Sequence, residues 1–489
     1  MEPCDVDVLI IGAGIAGIDM AYRLTESLPD HTFAILEARA ATGGTWDTFR
    51  YPGIRSDSDM YTLAFPFRPW THPDAIASGG AILDYLRATI RDSGLTDRIH
   101  LNQRVTSASW SSATARWTVH TDTPDGPLTH TARFLYLATG YFDHDHGHEV
   151  DFPGQERFTG TRVHPQHWPD DLPIEGRRFL VIGSGATAVT LVPALVDRGA
   201  AHVTMLQRSP TYVVSRPAAD PLAGAAFRVL PPQWAHRALR AKNIGVNVLS
   251  YQAARRFPGA ARSLITKGVA RALPTGYAVD PHFTPRYDPW DERLCLVPDG
   301  DLFTAISDGR AEVVTDTIAT FTETGVRTSS GRDIDADVIV TATGLELIVA
   351  GQIAAEVDGI PVDVHAGHVY RGLMLDGVPN MAWCVGYTNN SWTLRADLAA
   401  TWTCRLLAHL RARGYERVTP RYDPGAAGAS RPLMGLSAGY VQRAAHLLPS
   451  QGSNDPWVLR QNYLREAWTL GRAGFDDNAL EFATAPPHS

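Results

Sequence analysis

Residues 6–17 read VDVLIIGAGIAG, a short apolar run that passes directly into a glycine-rich turn. The pattern predicts a buried β-strand, a tight turn and then a helix that continues to about Leu28. A second strand is predicted over 33–37, with Glu37 as its last residue. In such a βαβ unit the glycines let the backbone approach a pyrophosphate at the helix N-terminus, and an acid after the second strand accepts hydrogen bonds from a ribose diol. We therefore predict that these residues bind an adenosine diphosphate group: Gly12, Gly14, Gly17 and Glu37.

The same arrangement recurs in the middle of the chain. Residues 179–188 read FLVIGSGATA, a helical pattern continues to about Arg198, and a strand follows over 202–206. Where the first unit has its acid, this unit has a glutamine and an arginine. A guanidinium pairs with the 2′-phosphate that an acid would repel, so the second nucleotide is predicted to be NADPH. The predicted contacts are Gly183, Ser184, Gly185, Ala186, Thr187, Gln207 and Arg208.

Two dinucleotide folds in one chain are typical of a flavoprotein that is reduced by a nicotinamide. Similar strands at 134–140 and 338–344 are expected to close the two units, and the Ala-, Arg- and Leu-rich stretch 217–292 is expected to be all helical. The predicted fold class is α/β, with two Rossmann-like dinucleotide-binding domains and a helical insertion. The predicted domains are FAD-binding (1–149 and 346–489), NADPH-binding (150–216 and 293–345) and the insertion (217–292).

Length and composition exclude several other classes of protein. The 489 residues are 44% hydrophobic and 20% charged, as in an ordinary folded protein of more than one domain. The net charge is −8 and no basic block stands out, so nucleic acid is not an expected partner. The chain shows no signal-peptide pattern and no apolar run of roughly 20 residues, which favours a cytoplasmic protein without a transmembrane segment.

The four cysteines are widely separated, which predicts neither a disulfide framework nor a zinc site and fits a reducing compartment. They also offer no redox-active pair, so oxygen is a better candidate electron acceptor than a disulfide. Residues 143–149 read DHDHGHE. Alternating histidines can bind metals, but nothing in the sequence orients these, and we predict an exposed connector and no metal site.

Two segments resemble a known enzyme family. Residues 158–169 read FTGTRVHPQHWP and match the fingerprint F-x-G-x-x-x-H-x-x-x-W-P of type I Baeyer-Villiger monooxygenases. Residues 43–57 read GGTWDTFRYPGIRSD and match a second pattern of that family, [AG]-G-x-W-x-x-x-x-[FY]-P-[GM]-x-x-x-D. Flavin monooxygenases that oxygenate nitrogen or sulfur usually carry Tyr or Phe in place of Trp168. The resemblance extends over essentially the whole chain and includes the mycobacterial ethionamide-activating members.

The resemblance implies FAD, NADPH and molecular oxygen, and conversion of ketones to esters or lactones through a C4a-peroxyflavin, with thioether oxidation as a side activity. It also implies that Arg293 is the catalytic arginine and that Asp57 orients it. The family often has lysine where this chain has Glu292, so Arg208 would carry more of the 2′-phosphate binding. The fingerprint residues are expected to act in domain movement: Phe158, Gly160, His164, Trp168 and Pro169.

Further FAD contacts are expected from the second pattern and from a predicted helix start near Ser391. They are Gly44, Thr45, Trp46, Asp57, Ser391 and Trp392. Asn390 or Ser391 is a natural N-cap, and the helix dipole would favour negative charge on the flavin. Two alternatives stay open at this point: an N- or S-oxygenating flavin monooxygenase, and a flavin redox sensor without turnover. The sequence leaves the substrate and the oligomeric state undetermined.

Overall fold

The computed structural model describes residues 2–484. They contain the following helices: α1 (Ile15–Ser27), α2 (Thr45–Thr48), α3 (Met60–Leu63), α4 (Gly79–Asp92), α5 (Ala186–Asp197), α6 (Ala223–Val229), α7 (Pro232–Arg256), α8 (Pro258–Ala272), α9 (Val279–His282), α10 (Asp301–Ser307), α11 (Trp392–Arg413), α12 (Pro424–Ala427), α13 (Gly439–Arg443) and α14 (Tyr463–Arg472). Short 3₁₀ helices cover Thr96–Arg98, Gln155–Arg157, Pro165–His167 and Ala350–Gln352.

The strands are β1 (Asp5–Ile11), β2 (Phe33–Leu36), β3 (Ile99–His100), β4 (Arg104–Ser111), β5 (Arg116–Asp122), β6 (Leu128–Leu137), β7 (Phe142–Gly147), β8 (Thr161–Val163), β9 (Arg178–Ile182), β10 (His202–Gln207), β11 (Val213–Arg216), β12 (Cys295–Pro298), β13 (Ala311–Thr315), β14 (Ile318–Phe321), β15 (Gly325–Thr328), β16 (Asp333–Asp335), β17 (Val338–Thr341), β18 (Leu345–Leu347), β19 (Ala354–Val357), β20 (Ile360–Pro361), β21 (Val369–Tyr370), β22 (Met374–Leu375), β23 (Met381–Trp383), β24 (Arg417–Pro420), β25 (Arg431–Pro432), β26 (Ser450–Gln451) and β27 (Leu480–Ala483).

Two sheets organise the chain. The first has the order β20-β19-β4-β5-β6-β1-β2-β3, with β23 also paired to β6. Its centre is parallel, and the residues from Val8 to Ile11 are all buried, as expected of a strand covered on both faces. The second sheet has the order β13-β10-β9-β17-β8 and is parallel throughout. The α/β fold class with two Rossmann-like units is confirmed.

Each unit places its glycine turn directly against its closing strand. Gly12 has φ +106°, and a Cβ there would lie 2.6 Å from the carbonyl oxygen of Ala138, after β6. Gly183 has φ +146°, and a Cβ there would lie 2.3 Å from the carbonyl oxygen of Ala342, after β17. Any side chain at either position would collide with backbone, so both turns require glycine. This close approach follows from the two predicted exit strands.

The helices α6 to α9 lie between β11 and β12, which pair with each other in parallel. The chain therefore leaves the unit of the second glycine turn along one strand and returns along its neighbour, with the helices between the two. This unit is called the NADPH-side unit after its predicted nucleotide. The domain boundaries at 149, 216, 292 and 345 stay predictions.

The stretch 143–149 is more ordered than the exposed connector that its composition predicts. Most of it forms β7, which pairs antiparallel with β18. These strands are the two crossings between the units, and running side by side lets them satisfy each other's backbone groups. No cluster of three or more metal-ligating side chains occurs among residues 2–484. Within the same range, no helix combines the length and the apolar character needed to cross a bilayer.

Candidate active site

A cavity of about 860 Å³ lies between the two glycine turns. Both turns contribute to its wall, together with residues from the second family pattern and from the segment after the helical insertion. Each predicted nucleotide site therefore opens into the same space, which is the arrangement needed for two cofactors to meet.

The first turn offers the features that a dinucleotide requires. Gly14 is the N-cap of α1 and forms no side-chain cap, so the first N–H groups of the helix stay available to an anion. Glu37 accepts hydrogen bonds from the backbone N–H of Ala13 (2.8 Å) and of Arg39 (3.0 Å), and burial raises the pKa of its carboxyl group. Gly44 approaches closely: a Cβ there would lie 3.1 Å from Gly14 Cα. The cavity wall includes Gly12, Gly14, Glu37, Gly44, Thr45, Trp46, Asp57 and Trp392.

Two residues predicted to contact FAD do not line this cavity. Gly17 lies under the turn, where a Cβ would be 1.9 Å from the carbonyl oxygen of Gly12, so its role is to let α1 pack against the turn. Ser391 is the N-cap of α11, but its hydroxyl bonds to the hydroxyl of Thr62 (2.5 Å) instead of capping the helix. Its neighbours Asn390 and Trp392 do line the cavity.

The second turn is equally open to a ligand. Gly185 and Ala186 are exposed at the start of α5, no side chain caps the helix, and a Cβ on Gly185 would meet nothing within 4 Å. Arg208 is exposed at the cavity wall and has no hydrogen-bond or ion-pair partner within the described part of the chain. This unit's cavity wall comprises Gly183, Ser184, Gly185, Ala186, Thr187 and Arg208.

The prediction for Gln207 is wrong as far as its side chain is concerned. Gln207 is 2% exposed and does not line the cavity. Its amide nitrogen donates to the carbonyl oxygen of His282 (2.7 Å) and to the hydroxyl of Thr315 (2.8 Å). The side chain therefore ties β10 to α9 and β13, and Arg208 is the residue at this strand end that faces the ligand space.

Asp57 and Arg293 meet at the wall of the cavity, although 236 positions separate them in sequence. Arg293 Nη1 donates to Asp57 Oδ2 at 2.9 Å. The Arg293 side chain is 34% exposed, and its Nε is buried without a partner in the described structure. Tyr141 and then Asp57 raise the pKa of Arg293, so the guanidinium is a permanent positive charge. The predicted pair exists, and it is free to face a ligand.

Aromatic side chains surround this charge. The ring of Tyr141 stacks on Trp392, with centroids 4.9 Å apart, and burial raises the pKa of Tyr141 to about 12. Burial also raises the pKa of Tyr440, and Arg293 acts against that shift. Both phenols therefore stay neutral near pH 7 and can donate hydrogen bonds. The position of Tyr141 directly after the exit strand and Gly140 was a usable sequence signal, whereas nothing in the sequence pointed to Tyr440.

The second family pattern also joins the two units. Phe49 and Tyr51 are buried in the hydrophobic core of the NADPH-side unit. Gly53 has φ +77°, and a Cβ there would lie 2.6 Å from Ala194 Cβ and 2.9 Å from the carbonyl oxygen of Thr190, both in α5. The glycine is required because the segment presses against the helix that follows the second turn. Gly53, which contacts the other unit, thus lies only four residues before Asp57.

The fingerprint residues lie outside the cavity wall. Phe158 is buried against Phe321, and a Cβ on Gly160 would lie 2.5 Å from the Phe158 ring. Trp168 packs on the core of the NADPH-side unit, and Pro169, next to it, is half-buried. All of these contacts are packing contacts. These contacts position the segment 158–169 and place none of the four residues at the cavity.

His164 is the fingerprint residue that contacts a linker strand. A Cβ on Gly147 in β7 would lie 2.0 Å from the His164 ring. Its Nδ1 accepts the Gln166 N–H at 3.2 Å, and the Gln166 amide in turn donates to the carbonyl oxygen of Asp143 at 2.9 Å. Burial lowers the pKa of His164, so the neutral ring is favoured. This geometry supports the predicted conformational role.

His164→Ala is expected to retain FAD but to couple NADPH oxidation poorly to product, because the void against Gly147 loosens the junction of the two linker strands. We expect product formed per NADPH to fall several-fold. Parallel assays of NADPH consumption and product measure this, with Arg162→Ala, which alters an exposed residue of the same segment, as the control. Unchanged coupling in His164→Ala would leave the residue a packing role only.

Comparison with known proteins agrees with this architecture. The family model of pyridine nucleotide-disulphide oxidoreductases matches residues 9–220. All four cysteines of this chain are free of disulfide bonds, so no two of them form a redox-active pair. Burial raises the pKa of Cys295, near the cavity, to about 12.

Among solved structures, an oxidised steroid monooxygenase bound to NADP superposes with a TM-score of 0.76 at 24% identity and covers 98% of this chain and 100% of that one. An open structure of cyclohexanone monooxygenase gives 0.75 at 19% identity, with the same coverage.

The fold thus defines a protein with two Rossmann-like dinucleotide-binding units that open into one cavity. The FAD-containing monooxygenase EthA of Mycobacterium tuberculosis H37Rv is 50% identical over 481 residues, which is 98% of both chains. EthA of Mycolicibacterium smegmatis is 48% identical over 476 residues, which is 97% of this chain and 96% of that one. The chain belongs to this family of FAD-containing monooxygenases.

Proposed function

We propose that the protein is an NADPH-dependent Baeyer-Villiger monooxygenase that inserts one oxygen atom of O₂ into a ketone to form an ester or lactone, with thioether oxidation as a side activity. The observation that carries the proposal is the Asp57–Arg293 pair at the wall of the cavity that both nucleotide turns share. The complete match of residues 158–169 to the family fingerprint supports the ketone reaction over oxygenation of nitrogen.

FAD would occupy the first unit and NADPH the second. The uncapped start of α1 and the Glu37 carboxylate fit the FAD pyrophosphate and ribose, and the uncapped start of α5 and Arg208 fit the NADPH phosphates. When bound, NADPH supplies hydride and FAD supplies the oxygen-activating chemistry. The remaining steps depend on side chains of this chain.

Arg293 would hold a fixed positive charge where negative charge develops on the reacting oxygen. Because the pKa of Arg293 is raised, the guanidinium stays protonated. Asp57 fixes the direction of the guanidinium by accepting a hydrogen bond from Nη1. The Nε–H of the Arg293 guanidinium has no hydrogen-bond partner in the described structure. Tyr141 and Tyr440 stay protonated beside this charge.

The ketone would bind on the far side of the ion pair. A smaller cavity of about 250 Å³ shares Asp57 and Arg293 with the larger one. Its wall mixes apolar residues such as Trp290 with amide side chains, including Asn247 of α7 and Asn389. A carbonyl compound placed there would face Arg293 with its apolar substituents away from water.

The proposal is tested by incubating one preparation, with NADPH and air, with a ketone, a thioether and a tertiary amine. Mass spectrometry of the products is expected to show ester from the ketone and, at lower rate, sulfoxide. Amine oxide without ester would identify an N-oxygenating enzyme instead. FAD reduction by NADPH without any oxygenated product would favour the redox sensor.

Arg208→Ala is expected to raise the KM for NADPH far more than that for NADH, because only NADPH carries the 2′-phosphate. Loss of one charged hydrogen bond costs about 1.5–3 kcal/mol, or roughly 10- to 150-fold. Steady-state kinetics with both coenzymes measure this, and Arg198→Ala, exposed at the other end of α5, is the matched control. Equal increases in the KM for NADPH and for NADH would contradict the assignment of Arg208 as the 2′-phosphate contact.

A further inference from the structure

Within the helical insertion, the segment 221–279, which contains α6, α7 and α8, differs in charge from the rest of the chain. Between Pro221 and Val279 there are nine Lys and Arg residues and no Asp or Glu, whereas the remaining chain has 35 Lys and Arg against 52 Asp and Glu. The expectation that no basic block stands out is therefore wrong for this region. Apart from the adjacent Arg255 and Arg256, its cations are separated in sequence and distributed over three helices.

The same helices expose large apolar side chains. Of the thirteen large hydrophobic side chains that are exposed among residues 2–484, eight belong to the insertion: Leu222, Val229, Leu230, Trp234, Val246, Leu249, Phe257 and Leu264. Two more, Leu464 and Trp468, lie on α14, whose first residue, Tyr463, packs against the cluster that contains Ile244 of α7. Single exposed apolar residues are ordinary, but a concentration of this kind marks a docking surface.

The apolar side chains on α7 follow one face of the helix. Trp234 (61% exposed), Ala238, Ala241 and Leu249 (71% exposed) recur at helical spacing. The opposite face is buried in the protein through residues such as Leu239. On α8, Leu264 is 72% exposed and is followed at helical spacing by Lys267 and Arg271. We call the exposed side of α6, α7 and α8 the outer face.

Cations border the apolar side chains of the outer face. The guanidinium of Arg237 lies 5.3 Å from the Trp234 ring, and that of Arg256 lies 5.3 Å from the Phe257 ring. Three cations of this segment are neutralised by acids that lie just outside it, since Lys242, Arg255 and Arg262 pair with Asp220, Asp291 and Asp288. Five others form no ion pair within the described residues: Arg228, Arg237, Arg256, Lys267 and Arg271. The outer face therefore keeps a net positive charge.

We propose that the outer face docks onto the surface of an anionic phospholipid bilayer. Exposed Trp, Leu and Phe can enter the boundary between headgroups and acyl chains, while Lys and Arg beside them meet anionic headgroups. A nucleic acid would attract the cations but would leave the apolar side chains without a partner. A second copy of the chain would bring like charges together. Of these three surfaces, only the anionic bilayer satisfies both features.

The docking face lies close to the candidate active site. Asn243, Asn247 and Ser250 of α7 line the smaller cavity beside Arg293. A protein held at a bilayer by α7 would thus hold this cavity near the lipid. Bilayer binding itself does not depend on the proposed ketone chemistry and is measured without turnover.

The test uses the full-length FAD-bound protein and flotation with vesicles of phosphatidylcholine, with or without phosphatidylglycerol. Binding is expected only when phosphatidylglycerol is present, and high salt is expected to weaken it. The triple variants Trp234→Gln/Leu249→Gln/Leu264→Gln and Arg228→Glu/Arg256→Glu/Lys267→Glu are each expected to weaken binding about tenfold or more. Ile360→Gln, which alters a 71% exposed apolar residue on β20, is the matched control and is expected to bind normally.

Several results would overturn the proposal. They are failure of the parent protein to bind anionic vesicles, binding that neither triple variant weakens, and binding to a short DNA duplex as strong as to the vesicles. Sedimentation velocity covers self-association: an oligomer that the apolar variant converts to monomer, with vesicle binding unchanged, would assign the face to a second copy. The substituted side chains are exposed, so folding is checked by FAD absorbance, and the salt dependence of the parent protein gives a result without any variant.

Discussion

Arg293→Ala is expected to form no detectable ester while still containing FAD. The side chain supplies the fixed positive charge at the junction of the two cavities, whereas the FAD-side turn and Glu37 lie elsewhere on the wall. Loss of a single positioned donor at a site of developing charge commonly costs at least about 100-fold in rate. Gas chromatography of the products, with FAD absorbance of the purified protein, measures both parts of this prediction.

Asp57→Ala is expected to act in the same direction but less severely, by about tenfold, because Asp57 orients the guanidinium and does not supply the charge. The double variant should be little less active than Arg293→Ala alone.

Arg443→Ala is the matched control, since this arginine lines the same cavity but lies 3.8 Å from Glu346. Ester formation by Arg293→Ala at the parent rate would place the catalytic cation elsewhere. If Arg293→Ala loses FAD, Arg293→Lys keeps the charge and separates binding from catalysis.

Gly14→Val is expected to purify with almost no FAD. Gly14 has φ −82°, which valine adopts, but a Cβ there already lies 3.6 Å from Gly44 Cα, so the branched methyl groups would occupy the gap above the start of α1. Steric cost and loss of a charged hydrogen bond to the pyrophosphate together amount to roughly 3–6 kcal/mol, or at least about 100-fold in affinity. FAD released from denatured protein, measured per mole of chain, gives the occupancy.

The corresponding change in the second unit supplies the control. Gly185→Val is expected to keep full FAD and to raise the KM for NADPH, because Gly185 begins α5 and faces open space. The pair of variants therefore tests which unit holds which nucleotide. Normal FAD content in Gly14→Val, or loss of FAD in Gly185→Val with NADPH binding intact, would reverse the assignment.

The glycine turns could be predicted from sequence because their geometry is local. Gly12 and Gly183 are needed wherever a strand turns into a helix beside a closing strand, and the flanking apolar runs show both strands. The Asp57–Arg293 pair could be predicted only through the family resemblance. Two residues 236 positions apart carry no spacing signal, and only the fold brings them together.

Side-chain directions were the part that the sequence could not supply. Gln207 has the right position for a ribose contact, but His282 and Thr315 draw its amide inward. Ser391 is an N-cap by position, but Thr62 from a distant segment takes its hydroxyl. In both cases the competing partner comes from another element, so no local pattern reveals it. The same reason explains why the exposure of α7 became visible only in the folded chain.

The most direct test of the central claim is the fate of isotopically labelled oxygen. Under ¹⁸O₂, with NADPH and a ketone, the ester is expected to gain one labelled atom, the other is expected to leave as water, and one NADPH should be oxidised for each ester formed. Mass spectrometry of the ester and absorbance of NADPH measure these quantities together. NADPH oxidation that yields only hydrogen peroxide and no labelled ester, while a tertiary amine or a thioether supplied in place of the ketone gains the label, would contradict the assignment of this protein as a Baeyer-Villiger monooxygenase.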